Sequence, residues 1–381
     1  MVKLGDICKF QSGGTPSKSN PLYFGGEIPW ITTVALNGGI INEGNAVEWI
    51  TEKALAESAA KLVPANSIMV GTRVGIGKVA INSVPMSTSQ DVISLLEIDE
   101  TRWSKPFLCR YLLSQTEFLQ AQARGATIKG IKIDTLSKLL LPEIDLAQQY
   151  QIAAVFQKLT RLISLRQEQL DKLDELVKSR FVEMFDGGNY PHVALIDLIK
   201  DEAGLSYGIV QPGNDGTGDM GVLRPVDIVD GRISIDSIKY IDRSIGDRFR
   251  KTELTGDELL ITVRGTTGIT ALTDFRFKGM NVTRGIAVVR YDREKIDPVY
   301  LNSYLNTEDS QQYIQEHTRG ATLQQINLSD LRVQQVMVPS LPLQNQFSAF
   351  VSQTEKTKTA VQKSLQKLET LKKSLMQQYF G

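Results

Sequence analysis

Short apolar runs alternate with polar residues over the first 123 positions. SIMVG (67–71), KVAIN (78–82) and DVISLLEI (91–98) are separated by the turn-forming clusters GGTP, NGG and GIG. A period of two punctuated by glycine and proline predicts strands, and one helix is predicted after them, over about residues 105–122. Residues 186–318 repeat the plan, with RISIDSIKYI, ELLITV and GIAVVRY followed by a helix over about residues 298–316. After each block the period changes. From 146 to 185, Ile152, Val155, Leu159 and Leu162, then Leu170, Leu173 and Val177, recur at threes and fours among Gln, Lys, Glu and Arg. From 343 to 380 the stripe continues in Phe347, Val351, Val361, Leu365, Leu368 and Leu375, with Thr354 and Lys358 interrupting it. That spacing predicts coiled-coil-like helices. About 39 residues at 1.5 Å rise give roughly 58 Å of helix, more than one compact domain covers.

The two halves are copies of one plan. RGAT occurs at 124–127 and again at 319–322, an offset of 195 (319 − 124). Downstream, QEQLDKLDELVKSRFVEMF (167–185) lies over QKSLQKLETLKKSLMQQYF (362–380) at the same offset. Upstream, IMVGTRVGIGKVA (68–80) lies over LLITVRGTTGITA (259–271), which places Arg73 on Arg264 and Gly77 on Gly268. A repeat this long is a domain plus a helix, not a solenoid unit. The predicted architecture is α+β: similar domains at 1–145 and 186–342, each followed by a long helix, at 146–185 and 343–381. Packing the two helices antiparallel against each other covers both stripes and relates the domains by a pseudo-twofold axis. The plainer alternative folds each helix back on its own domain or uses it for homodimerisation.

Composition adds little until it is divided. The chain of 381 residues has 43 basic and 43 acidic side chains and 41% hydrophobic residues, ordinary for a globular protein. The blocks differ: 10 basic against 11 acidic residues over 1–123, 10 against 8 over 124–185, 15 against 21 over 186–318, and 8 against 3 over 319–381. The helical segments carry the positive excess, so any nucleic-acid contact must use cations concentrated on one face of each domain. No run approaches the roughly 18 apolar residues of a membrane span, and the opening MVKLGDICKF lacks a signal-peptide pattern, which predicts a cytoplasmic protein. The two cysteines, Cys8 and Cys109, lack metal-ligand spacing and are expected to be reduced and structural.

Catalytic patterns are not found. GTRVGIGK (71–78) has Thr72 where a Walker loop needs its first glycine, and Val79 follows Lys78. What it shares with RGTTGIT (264–270) is a glycine-rich turn bearing one arginine, whose plainest reading is a tight hairpin. The two histidines, His192 and His317, have no counterparts in the first half and suggest neither a triad nor a metal site. No NPPY-like methyltransferase segment or nuclease carboxylate cluster is present, and Asp227, Asp230 and Asp236 read as solvated turn residues.

The order of domain, long helix, domain, long helix resembles the DNA-specificity subunit of a type I restriction-modification system. The specific part is the junction phrases RGAT…LPEIDLAQQYQI and RGAT…VPSLPLQNQF; the opening SGGTPSKSNPLYFGGEIPWI (12–31), containing Lys18, and the two glycine-rich turns add to it. The resemblance implies a non-catalytic subunit in which each domain reads half of a split DNA site. The helices would set the spacing and dock two adenine-N6 methyltransferase subunits, and through them restriction and translocase subunits. S-adenosylmethionine, ATP and Mg are expected on those partners, with no cofactor or metal in this chain. Half-sites on one face of a duplex repeat about every 34–36 Å, which suits two separated readers. The acidic second domain departs from this picture and assigns much of the phosphate contact to the partners.

Within that reading the glycine-rich turns and the polar residues starting the next strand are the expected DNA contacts. In the first domain these are Arg73, Lys78, Ser89 and Gln90, with Lys18 of the opening loop; in the second, Arg264, Thr266, Thr267, Asn281 and Arg284. Arginine pairs with guanine and Asn or Gln with adenine through two hydrogen bonds. Ile152, Val155, Leu159, Leu162, Leu170, Leu173, Val361, Leu365, Leu368 and Leu375 are the expected helix-pair interface. Two other classes stay open: a DNA-independent protein-binding scaffold, which a salt-dependent shift of DNA by the assembled complex would exclude, and a self-contained DNA-modifying enzyme, which needs turnover by the pure chain.

Overall fold

The computed structural model describes residues 1–125, 129–200, 205–211, 218–229, 231–236 and 238–381. They form two compact units, Met1–Gln167 with Lys363–Gly381, and Glu168–Gln362. Each is α+β, and each contains a segment of both long helices, Leu146–Phe185 and Leu341–Phe380.

In the first unit a five-stranded sheet has the order Lys9–Ser12, Val92–Leu96, Ile68–Gly71, Val79–Asn82, Ile40–Ile41. The period of two is visible in its central strand. Ile68 and Val70 enter the core shared with the helix Lys105–Ser114, while Met69, between them, enters a second core with Ile31 and Ile41. A four-stranded sheet (Glu48–Ile50, Phe24–Ile31, Met86–Thr88, Leu62–Val63) stands beside it. The second unit repeats the scheme: Leu259, Ile261 and Val263 of the strand Leu259–Arg264 face a helix-side core, and Leu260 faces another with Phe277 and Val282. The predicted run RISIDSIKYI is two strands here, Arg232–Ile233 and Lys239–Ile241, in different sheets.

The helix predicted over 105–122 is broken into Lys105–Ser114 and Thr116–Ala121, and that over 298–316 into Pro298–Leu305 and Glu308–His317. In both copies the second piece holds the glycine-rich hairpin through side chains: Thr116 donates to Gly77 O (3.1 Å) and Gln120 to Ile76 O (3.3 Å), as Gln311 donates to Gly268 O (3.0 Å).

A buried glutamine ties each long helix to its unit. Gln149 accepts from the backbone N–H of Ser104 (2.9 Å) and donates to Arg102 O and Ile144 O (3.0 Å each). Gln344 accepts from Asp297 N–H (2.8 Å) and donates to Pro339 O (2.7 Å). Ser104 and Asp297 in turn cap their helices through Phe107 N–H and Tyr300 N–H. A buried amide without such partners would cost a few kcal/mol, so each glutamine fixes the start of the long helix against the domain.

The line of low exposure on both helices alternates threes and fours without a break: 149, 152, 156, 159, 163, 166, 170, 173, 177, then 344, 347, 351, 354, 358, 361, 365, 368, 372, 375, 379. Ile152, Leu159, Leu170 and Val361 are buried and Leu173, Leu365, Leu368 and Leu375 half-buried. Val155 and Leu162 are corrected. They are exposed, because Phe156 and Ile163, one position on, take the inward places. Thr354 and Lys358 are also not interruptions. Both are buried on the line, with Lys358 Nζ bonded to Asp174 (2.5 Å) and Glu355 (2.9 Å). Within the second unit, Phe181 meets Phe347, Arg180 lies over Phe350 and Asp174 meets Lys358. One number falls as the other rises, so the segments run antiparallel there.

Candidate nucleic-acid interface

In the first unit, strands Ile68–Gly71 and Val79–Asn82 pair antiparallel, and loop 72–78 between them carries Gly75 and Gly77 at φ +69° and +82°. A methyl group at Gly77 would stand 2.8 Å from Thr116, so the turn needs glycine for close approach as well as for its left-handed backbone. On its other side Thr72 is bonded twice to Asp91 O, through its N–H (2.8 Å) and hydroxyl (3.1 Å), and its own carbonyl accepts from Ile131 N–H (2.8 Å). These bonds bring Arg73 beside Asp91 (3.8 Å), the residue after Gln90, and against Gly130. Gln90 is exposed and hydrogen-bonded to Thr15 of the opening glycine-rich loop. Lys18, in that same loop, pairs with Glu48 (3.2 Å), and Lys78 lies exposed over Gly75.

The second unit builds the same frame. Strands Leu259–Arg264 and Thr266–Leu272 form the hairpin, with Gly265 and Gly268 at φ +85° and +87°. Val263 N–H donates to Gly285 O (2.8 Å) and Val263 O accepts from Ile326 N–H (3.0 Å), the same two bonds that Thr72 makes. Half-buried Arg264 thus stands beside Gly285, which follows exposed Arg284. Thr266 is exposed at the hairpin tip.

Three expected contact residues are withdrawn from the surface. Ser89 is 3% exposed and accepts from Asp91 N–H; Thr267 is 4% exposed and bonded to the Thr318 hydroxyl (3.0 Å). Asn281 has no exposed surface: it accepts from Thr252 (2.7 Å) and Val282 N–H (2.9 Å) and donates to Phe249 O (3.1 Å). Each occupies an inward position of its strand or turn and spends its hydrogen bonds on the unit's own loops, so none can reach a base edge.

Sequence reasoning passed over the repeated phrase itself as a site. In both units the arginine of RGAT is bridged through its backbone to a residue set against the glycine-rich turn. Arg124 and Gly130 exchange two backbone bonds (3.0 Å each), as do Arg319 and Gln325 (2.8 Å each). Gly130 touches Arg73, and Gln325 also bridges Arg264. Ala126 and Thr127 of the first copy, like Asp230, lie outside the described residues. The signal that could have found the site was the identity of the two copies. Elsewhere, His317 is stacked on Tyr313 and bonded to its carbonyl, and His192 lies on an edge strand. Among the described residues no cluster of three or more metal-ligating side chains occurs, and no helix is long and apolar enough to cross a membrane.

Fold and site thus define a protein of two repeated α+β units, each presenting one polar, arginine-bearing line on the same backbone frame. The model of the type I restriction modification DNA specificity domain matches residues 1–175 and 216–372, and the chain belongs to that family. It is 20% identical over 415 residues to the EcoBI specificity subunit of Escherichia coli, covering all of this chain and 79% of that protein. It is 23% identical over 402 residues to the MjaIX specificity subunit of Methanocaldococcus jannaschii, covering 98% and 90%. Its fold is similar to that of the type I restriction-modification S subunit from M. genitalium (TM-score 0.57, 17% identity, 100% and 95% covered). It is likewise similar to a chain solved in work on assembly and conformational transition of the type I system (TM-score 0.63, 18% identity, 100% and 96% covered).

Proposed function

We propose that this chain is the specificity subunit of a type I restriction-modification complex, each unit reading one half of a bipartite DNA site. The observation that carries the reading is the shared frame with unshared side chains. Thr72 and Val263 make equivalent backbone bonds, yet the exposed residue beside them is Gln90 in one unit and Arg284 in the other. One scaffold presenting different donors and acceptors suits two different half-sites, since Gln favours adenine and Arg guanine. Arg73, Lys78 and Lys18 in the first unit, and Arg264 and Thr266 in the second, are assigned as further DNA contacts beside these readers.

The chain positions DNA and does no chemistry on it. Two adenine-N6 methyltransferase subunits dock on the long helices, supplying S-adenosylmethionine, and restriction and translocase subunits join through them with ATP and Mg. The helices pair antiparallel along their three-four line and set the spacing between half-sites. The family membership and the opposed order of contacts within the second unit support this.

The test compares Gln90→Ala with Arg284→Ala in the complex with methyltransferase, scoring methylation over a library randomised in both half-sites. Each substitution is expected to relax preference in one half only, and in different halves, at about 1–3 kcal/mol per lost base contact. Loss of preference in both halves from either substitution, or in the same half from both, would contradict separate readers.

A further inference from the structure

We propose that the arginines of the repeated RGAT phrase, Arg124 and Arg319, are matched phosphate contacts, one per unit, that hold DNA in register for the readers beside them. The inference rests on the DNA-reading function proposed above.

The argument starts from what is the same and what differs between the units. Several positions around the hairpin have diverged, above all the exposed pair Gln90 against Arg284. With it go Asp91 against Gly285, Lys78 against Ile269 and Gly130 against Gln325, while the hairpin arginines Arg73 and Arg264 are the same. Arg124 and Arg319 have not diverged either, nor have the glycines that follow them. Two surfaces that read different sequences need different base contacts, whereas the phosphate backbone is identical under both. A side chain preserved in both, at one place in one frame, suits the part of the duplex that carries no sequence.

The backbone bridge does not itself require an arginine. Gly125 and Gly320 are at φ +141° and +103°, and a methyl at Gly320 would meet Leu323 O at 2.3 Å, so the turn itself requires the glycine. The arginine contributes its backbone N–H and C=O to the bridge, which any residue supplies. Its side chain is exposed in both copies, 69% so for Arg319, whose contact with Asp330 is 3.6 Å; Arg124 makes no ion pair among the described residues. An exposed guanidinium on a backbone held by two hydrogen bonds is free to make charge-assisted hydrogen bonds to a phosphate oxygen.

Position completes the case. The RGAT bridge touches Arg73 in one unit and Arg264 in the other, and each of those lies beside the residue that follows the reader in sequence, Asp91 after Gln90 and Gly285 after Arg284. Each unit therefore brings RGAT arginine, hairpin arginine and reader onto one backbone frame, in which the RGAT arginine anchors the DNA backbone. This also answers the charge deficit of the second domain. A net acidic body can hold DNA where its cations are gathered in one place.

The experiment uses the chain assembled with its methyltransferase and a duplex bearing the motif that the complex methylates. Arg124→Gln and Arg319→Gln are each expected to weaken binding about ten-fold on target and non-target duplexes alike, and to lower the slope of log K against log salt by about 0.9. The relative rates across a library randomised in both half-sites should stay unchanged. Arg124→Lys and Arg319→Lys, which keep a point charge, should restore most of the affinity, and all four variants should melt with the wild type. Relaxed preference in one half-site would make the arginine a base reader, and lost methyltransferase co-purification with unchanged DNA affinity would make it a docking residue; either overturns the proposal, as does wild-type behaviour of both Gln variants. A wild-type complex that does not bind its duplex sinks the DNA-reading function itself, so the two failures are distinct.

Discussion

Glu258 has no exposed surface, yet its carboxylate is held charged. Burial pushes its pKa up, but the N–H groups of Thr255, Gly256 and Asp257 and the hydroxyls of Thr255 and Thr273 all donate to it, and together they bring it below the usual carboxylate range. A folded pKa below the unfolded one gives stability that is complete above the unfolded value and lost as pH falls through the folded one. Glu258→Gln should therefore lower the melting temperature at pH 7 and narrow its gap to wild type as pH drops below about 4; Glu258→Ala should cost about 3–5 kcal/mol at neutral pH. A gap that does not depend on pH would refute the charged state. The thiols behave oppositely. Burial raises Cys8 to about 12 and Cys109 to about 11, so neither should be alkylated by iodoacetamide at pH 8 until urea unfolds the chain, and rapid labelling of the native protein would contradict this. At this scale the sequence named the polar candidates but not their orientation. Asn281 and Arg284 are three residues apart in one polar stretch; one is fully enclosed by Thr252 and Phe249, the other exposed.

The long helices carry a three-four line that chemistry alone obscures. Choosing the most apolar residue at each step selects Val155 and Leu162, which face water, and rejects Thr354 and Lys358, which do not. Lys358 is held by Asp174 of the other helix and Glu355 of its own, and Glu355 also pairs with Arg232 (2.9 Å). The carboxylates of Asp174 and Glu355 are exposed enough to be solvated without the lysine, so an apolar side chain of similar length costs little. A third carboxylate buried at this place is severe. Lys358→Met should leave the melting temperature unchanged or raised, and Lys358→Glu should cost about 3 kcal/mol or more, read by circular dichroism at 222 nm; equal losses from the two would show that the charge itself holds the helices. Leu170 is buried and Leu173 only half-buried. Leu170→Asp should accordingly destabilise more than Leu173→Asp, by the lost burial of roughly 1.5–3 kcal/mol and the desolvation of a carboxylate.

Each unit is completed by the last turn of a helix that begins in the other. Phe380 closes the first core against Phe107 (5.5 Å) and Phe156 (5.8 Å), and Phe185 closes the second against Tyr300 (4.9 Å) and Phe347 (5.6 Å). All three tryptophans, Trp30, Trp49 and Trp103, belong to the first unit, so tryptophan emission reports on that unit alone. Phe380→Ala is expected to lower the emission-monitored unfolding midpoint, while Phe185→Ala, removing a fully buried ring at about 3–5 kcal/mol, lowers the circular-dichroism midpoint and moves the emission signal less. Equal shifts of the emission signal would mean that the units unfold as one.

The duplication, the α+β class, the central strands and the two long helices were legible in the sequence, because periodicity and self-similarity are properties of the chain order itself. RGAT and the glycine-rich turns were legible as features too, but not as neighbours. That they lie together was decided by single backbone bonds, Ile131 to Thr72 and Ile326 to Val263, between segments about sixty residues apart in the chain. Tertiary structure likewise decided which of two adjacent residues faces inward on a helix and which polar groups are consumed internally. The physical reason is that a side chain's chemistry is local, whereas its exposure depends on what the rest of the chain places against it, as with Ser89 and Gln90, adjacent in sequence, one sealed beneath Ile31 and one open to solvent.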